Sequence, residues 1–452
     1  MSIAATTLSL LSTCVVAATA AMAMLPISPQ TARAADVEIE AGLGQSVLVA
    51  GKGDHVYLKI GLNGVKAHGD ERRLPVNIGL VIDRSGSMED DNKIGKAREA
   101  AQMALSRLDK NDIGSVVAFN HEVDVLLPAT RITNKEQIDR AIGKLVADGN
   151  TALYAGTKQG IEEVAKFIAK DKVNRVILIS DGLANVGPSE PEEVAALGRK
   201  AAAKGITIST IGLGLGYNED LMSKLAYSSD GDHVFVERSE DLAGIFDKEF
   251  GNVLSVVAQE LVIKIHCDHG FKPIRAIGRE ADISGSDVTV RLNQLYGGQQ
   301  KYVVIELSPP SDASLGERSV ANVELSYSGK ASASLTKLDV PVKARFSADV
   351  AEADRSVDSS IMSDVTIQLG NEKNERAVEL RDAGNIEEAK KVMQENAADM
   401  KAAASRLNAP ALAAAAESAS SDAAKLDDEQ NWSKTRKVLR AKQFKDKSQQ
   451  AF

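Results

Sequence analysis

Cysteine is almost absent: the chain of 452 residues holds 2, Cys14 and Cys267. Cys14 lies in an N-terminal apolar run that reads as a leader. The remainder therefore carries one thiol, and no disulfide can form within it. Stability has to come from packing, which a chain of this length can supply. Aromatic residues make up 4% of the sequence and Trp occurs once, so the cores must be built from Ala, Val, Ile and Leu. A basic excess is also missing, the formal charge being −9. That excludes a general nucleic-acid binder, because neutralising phosphates takes a positive surface. It suits a protein that handles cations or avoids self-association. Past the leader no apolar stretch reaches the ~18 residues of a bilayer-spanning helix, so no pore is expected. No H-E-x-x-H, G-x-S-x-G or Walker A pattern occurs, and the chain is not expected to be an enzyme.

What is present reads as a soluble globular protein, with 44% apolar and 26% charged residues. The length suggests roughly two to four domains. Residues 1–34 read as an export signal or N-terminal anchor. Ile3 to Leu25 is almost uninterrupted apolar or small sequence, and Ala32-Arg33-Ala34 is a small-x-small cleavage site. No Lys or Arg precedes the run, a departure from the usual signal. Retained, the run would anchor the chain in a membrane; cleaved, it sends the protein to the periplasm, the cell surface or the medium.

Residues 36–75 alternate as strands do, in Val37-Glu38-Ile39-Glu40 and His55-Val56-Tyr57-Leu58-Lys59-Ile60. From residue 76 to 252 strands and helices alternate. Val76–Ile82, Arg175–Ser180 and Ile206–Ile211 are short apolar runs of buried-strand type. Between them lie helices near 92–108, 134–146, 153–169 and 189–203, followed by 218–227 and 240–250. In the first, Ile94, Ala97, Ala101, Ala104, Leu105 and Leu108 share a face. This is the texture of a mostly parallel, doubly wound sheet. Residues 256–346 return to strands separated by turns, the pattern of a β-sandwich. The economical fold is α/β plus β, with the α/β domain inserted into a sandwich that strands 36–75 help to build. Residues 350–452 are helical and Ala-rich. A helix, the turn Ala383-Gly384-Asn385 and a second helix make a hairpin similar to a single tetratricopeptide unit, without the second copy that an array needs. Residues 431–452 hold seven Lys or Arg and one Asp. They read as a solvated or frayed tail, with docking to an acidic partner or a membrane as the alternative.

The chemistry concentrates at the carboxyl edge of the predicted parallel sheet. Asp83-Arg84-Ser85-Gly86-Ser87 follows the first buried strand, and alternate residues of an extended loop can face one point. Gly86 lets the loop bend. Asn150-Thr151 opens a helix and Asp181-Gly182 follows the central strand, so both fall on the same edge. Asp83, Ser85, Ser87, Thr151 and Asp181 offer two carboxylates and three hydroxyls. An all-oxygen set takes a hard divalent cation: Mg2+ first, with Mn2+ or Ca2+ as substitutes. The bland alternative is that these residues cap helices and turns.

On these five positions the chain resembles the von Willebrand factor A family and its metal-ion-dependent adhesion site. The flanking sandwich is similar to architectures such as integrin β chains. It is similar also to bacterial exported proteins of the calcium-activated chloride channel-like and inter-alpha-trypsin inhibitor heavy chain-like groups. The resemblance implies that Ser85, Ser87 and Thr151 coordinate the cation directly, while Asp83 and Asp181 act through water or by holding the others. It implies that the open position takes an Asp or Glu of a protein partner, in adhesion or scaffolding. Asp90 and Asp91 resemble the acids beside the integrin β site that help hold a second metal; the alternative is that they cap the next helix. The resemblance also leaves room for a regulatory or assembly subunit. A metal-assisted hydrolase, with Asp83 or Asp181 as base, is the remaining alternative.

His266-Cys267-Asp268-His269 gathers softer ligands in one segment, but a zinc site needs a second segment. Gly212-Leu213-Gly214-Leu215-Gly216 reads as the shaper of a flexible loop.

Overall fold

The computed structural model describes residues 28–66, 73–330 and 335–450. The apolar run of the expected leader lies outside them. Four strands come first: β1 (Gln30–Arg33), β2 (Val37–Leu43), β3 (Val47–Val49) and β4 (Val56–Gly64). The α/β region opens with β5 (Val76–Asp83), a 3-10 segment at Gly86–Asn92, α1 (Lys93–Ser106), β6 (Ile113–Phe119) and β7 (Val123–Arg131). It continues with α2 (Lys135–Ile142), α3 (Leu153–Ala165), β8 (Val173–Ser180), α4 (Pro191–Ala202) and β9 (Ile206–Leu213). It ends with α5 (Glu219–Tyr227), β10 (His233–Val236) and α6 (Leu242–Leu254). Strands β11 (Val256–Cys267), β12 (Lys272–Ile277), β13 (Asp282–Ser284) and β14 (Asp287–Tyr296) follow. Then come β15 (Gln300–Ser308), β16 (Gly316–Gly329) and β17 (Leu335–Ser347). The helices α7 (Val350–Arg355), α8 (Ser359–Asp382), α9 (Ile386–Leu407), α10 (Pro410–Ala423) and α11 (Trp432–Ser448) close the chain.

Every residue of β5, β6, β8 and β9 is buried. That is why these strands read as continuous apolar runs: helices cover both faces of their sheet. Its order is β10-β9-β8-β5-β6-β7, parallel except for the antiparallel β6–β7 pair. Chain order runs outward from β5 in both directions. The crevice beyond the carboxyl ends of β5 and β8 is therefore the switch point, where folds of this kind bind ligands.

The sandwich is built from both sides of this insert. Strands β2 and β4 share a sheet with later strands, in the order β1-β2-β4-β15-β12. The facing sheet runs β13-β14-β11-β16-β17-β3. Ile39, Leu58, Ile60, Ile263 and Leu325 belong to the one core between them. Both ends of the insert meet at the β14–β15 turn. Gly64 N donates to Gln299 O at 2.9 Å and Gly297 N donates to Ser255 O at 2.9 Å. Gly64 has to be glycine for this approach, since a Cβ there would stand 2.1 Å from Tyr296 O.

Arg175, at the amino end of β8, joins the α/β region to the sandwich. It is fully buried and donates to Glu249 of α6 at 2.5 Å, to Gln294 at 2.7 Å and to the Tyr296 hydroxyl at 2.7 Å. The same hydroxyl donates to Asp232 at 3.1 Å. Nearby, Asp230 pairs with Arg279 at 3.1 Å and with Lys301 at 3.0 Å.

One expectation needs correcting. The C-terminal region is not one hairpin with a frayed tail, because the basic stretch forms α11 and packs on the α/β region. Lys437 donates to Glu219 at 2.5 Å and to Tyr217 O at 2.8 Å, and Arg436 donates to Asp220 at 2.6 Å. Lys434 reaches Glu237 at 2.6 Å, while Leu439 and Phe444 are buried. The acids that order the helix stand as far as 218 positions back in the chain, so local charge counting cannot see them. Ala32 and Arg33, in the segment expected to carry a cleavage site, lie in β1, which pairs antiparallel with β2 as an edge strand of the sandwich.

Candidate metal centre

Asp83 is the last residue of β5, and Asp181 follows β8 on the neighbouring strand. Adjacent parallel strands ending at the same level place the two acids on one edge. Asp83 is wholly buried, with both carboxylate oxygens engaged. Oδ1 accepts from Ser85 N at 2.8 Å and Oδ2 accepts from the Ser180 hydroxyl at 2.5 Å. Its work is thus to fix the turn that carries Ser85. Burial pushes this carboxyl up to about 6; the hydrogen bonds from Ser180 and Ser85 oppose that rise, and the charge of Asp181 adds to it.

Three hydroxyls converge beside the acids. Ser85 Oγ and Ser87 Oγ are 3.3 Å apart, and Ser87 Oγ donates to Asp181 Oδ1 at 2.7 Å. Thr151 reaches the same point from the start of α3. A Cβ on Gly182 would stand 2.8 Å from Thr151 Oγ1 and 3.5 Å from Ser85 Oγ. Those two oxygens therefore sit together against a position that has to be small. The structure brings together all five residues singled out from the sequence.

Residues outside the motif hold this arrangement. Gly86 N donates to Gly149 O at 2.9 Å and Asp148 N to Arg84 O at 2.8 Å, tying the two loops together. Asn185 accepts from Thr151 N at 2.8 Å, and Asn120 donates to Asp148 O at 2.9 Å. Gly216 closes on the third side, where a Cβ would stand 2.8 Å from Asp181 O. The glycine-rich segment read as a flexible-loop shaper is thus partly strand β9 and partly the wall behind Asp181. Sequence reasoning missed Ser180, Asn120 and Asn185. Of these, Ser180 had a usable signal, standing next to Asp181 at the end of a buried strand. It also missed Lys93, whose ammonium donates to Asp181 Oδ2 at 2.7 Å and to Ser87 O at 3.3 Å.

The donors are oxygens only, two carboxylates among hydroxyls. Among the described residues no group of three or more His, Cys, Asp or Glu gathers anywhere to hold a metal. A cation here would depend on Ser85, Ser87 and Thr151, and the set fits a hard ion. Asp90 and Asp91 are exposed on the 3-10 segment. They do not cap α1 as their alternative reading has it, because its N-cap is Asn92, in the left-handed region at φ 52. Cys267 is buried at the end of β11, and burial pushes its thiol up to about 11. Beside it His266 pairs with Asp287 at 2.7 Å. Around the metal centre the surface is partly apolar: Leu183 is 59% and Leu215 48% exposed, each within two residues of the glycines that pack on the site.

Comparison with known proteins agrees with this fold. The family model of the von Willebrand factor type A domain matches residues 77–248. An uncharacterised protein of Synechocystis is 30% identical over 289 residues, spanning 61% of this chain and 67% of its own. The inter-alpha-trypsin inhibitor heavy chain H3 of Rattus norvegicus is 30% identical over 168 residues, 35% of this chain and 19% of that protein. Among solved structures, a von Willebrand factor type A protein from Catenulispora acidiphila superposes with a TM-score of 0.68. It covers 86% of this chain and 89% of its own at 16% identity, a likeness of fold alone.

Proposed function

This chain belongs to the family of von Willebrand factor type A domain proteins, and we propose that it is an exported, non-enzymatic binding protein that grips an acidic partner through a divalent cation. Such domains commonly mediate metal-dependent protein–protein interaction. The observation that carries the reading is the meeting of Ser85, Ser87 and Thr151 hydroxyls beside Asp83 and Asp181, against a glycine whose Cβ would crowd Thr151.

The cation, Mg2+ first with Mn2+ or Ca2+ able to substitute, supplies an electron-poor open position for a carboxylate oxygen of the partner. The chain's own residues do the rest. Ser85, Ser87 and Thr151 hold the ion with neutral oxygens, so its charge is not spent on the protein. Asp83 orients Ser85 through its backbone N–H, and Asp181 orients Ser87 through its hydroxyl. On a protein of net charge −9 such a bridge lets a site built from acids and hydroxyls recognise an acid. Leu183 and Leu215 offer apolar contact to whatever flanks that acid. Asp90 and Asp91 stand beside this face as candidate ligands of a second ion. The leader is the basis for placing the protein outside the cytoplasm.

The test is thermal unfolding of the full chain in EDTA, Mg2+, Mn2+ and Ca2+, beside Ser85→Ala and Thr151→Ala. A ligand that binds only the folded state stabilises by RT ln(1 + [L]/Kd), about 2.7 kcal/mol at a hundredfold excess over Kd. The expected result is a metal-dependent rise in Tm that either substitution removes. Equal Tm in all four conditions for the unsubstituted chain refutes the reading.

A further inference from the structure

We propose that Lys93 is a tethered cation that competes with the divalent ion for Asp181 and sets how tightly the site binds metal. The proposal rests on the metal reading above and adds the residue that regulates it.

Lys93 opens α1, where the amino end of a helix disfavours a positive side chain. The first turn of α1 contains no acid to offset this. What receives the charge is the metal centre. Lys93 Nζ donates to Asp181 Oδ2 at 2.7 Å and to Ser87 O at 3.3 Å. Its side chain is 15% exposed and that of Asp181 fully buried, so water screens the pair weakly. The local chain is shaped to bring it there. Asp91 and Asn92 both take the left-handed conformation, at φ 51 and 52, immediately before it. The lysine stem then passes Gly214, where a Cβ would lie 3.5 Å from Cε.

With Ser87 Oγ on Oδ1 and Lys93 on Oδ2, both oxygens of Asp181 are engaged. A divalent ion arriving among Ser85, Ser87 and Thr151 meets a fixed like charge that already neutralises one of the two carboxylates. Binding then requires Lys93 to withdraw, or proceeds against its repulsion. Either way the ammonium lowers affinity, while in the metal-free chain it stabilises an otherwise unpaired buried acid. Lys93 thus keeps the site ordered when empty and demands a stronger set of ligands, such as one completed by a partner carboxylate, before an ion is held.

The experiment is titration calorimetry of Mn2+ alone into the full chain, the Lys93→Met and Lys93→Gln variants, and Lys96→Met as a control on a neighbouring lysine that pairs with Glu99 instead. Asp83→Ala reports on the site itself. Tm in EDTA is read in parallel and checks folding. Lys93→Met and Lys93→Gln should each lower the Mn2+ Kd at least tenfold and lower Tm in EDTA, with Lys96→Met unchanged. An ion bound only by the Lys93 variants also supports the proposal. Folded Lys93 variants whose Kd stays within twofold of the unsubstituted chain, or rises, overturn it while leaving the metal reading intact. Absence of binding in every form overturns both.

Discussion

Replacing Arg175 with Met tests how the α/β region is held to the sandwich. The guanidinium is fully buried, and Glu249 and Asp232 beside it are 2% and 6% exposed. Methionine matches the length of the stem but removes hydrogen bonds to Glu249, Gln294, Tyr296 and Ser209 together. Two buried acids then face each other without the guanidinium between them, while the Lys301 ammonium, paired with Asp230, still acts on Asp232. Removing one partner of a buried pair costs about 3–5 kcal/mol, because the uncompensated charge stays behind. Asp232 shows the strain in advance: burial and the charge of Glu249 push its carboxyl up to about 7 even with Arg175 present. In the variant that carboxyl rises further and takes up a proton, so the loss should shrink as pH falls from 7.5 to 5.5. Adding Glu249→Met should recover part of the loss at pH 7.5 by removing one of the stranded acids. Urea unfolding followed by circular dichroism, with calorimetry to see whether one transition splits into two, measures all of this. A loss under ~1 kcal/mol at pH 7.5, or one that grows on acidification, refutes the reasoning.

His233 is buried and held near 4, chiefly by burial, with Thr210 Oγ1 2.8 Å from its Nδ1. Between 6.5 and about 4 the unfolded chain binds the proton and the folded chain does not. Its contribution of roughly 3 kcal/mol is therefore complete above that window and lost as pH falls through it. His233→Gln should flatten this part of the stability–pH curve, and an unchanged slope would count against it. At the C-terminus, Arg436→Ala with Lys437→Ala leaves Glu219 buried without a cation. Amide exchange across Trp432–Ser448 should accelerate in that double variant while the α8–α9 hairpin keeps its protection. Unaltered exchange would mean that α11 is held by its apolar face, Leu439 and Phe444, rather than by the ion pairs.

The alternating texture of the chain and the five residues of the candidate site could be picked out in the sequence because each leaves a local mark. Strands buried on both faces are continuous apolar runs, as in Val76–Ile82; strands with one wet face alternate, as in Val37–Glu40; and Asp83-x-Ser85-x-Ser87 is short-range chemistry on one loop. Tertiary structure decided what depends on partners far along the chain. The strand pattern on either side already suggested the insertion, but that its two ends close on one turn shows only where Gly64 and Ser255 meet it. That the basic end packs on the α/β region shows only in its contacts with Glu219 and Asp220. Lys93 is the sharpest case. In sequence it is one more surface lysine on an amphipathic helix. In space it is the counter-charge of Asp181, 88 positions away, because parallel strands β5 and β8 end side by side and the helix after the first starts at the end of the second. A charge interacts through distance in space, and sequence separation carries no information about that distance until the sheet order is known.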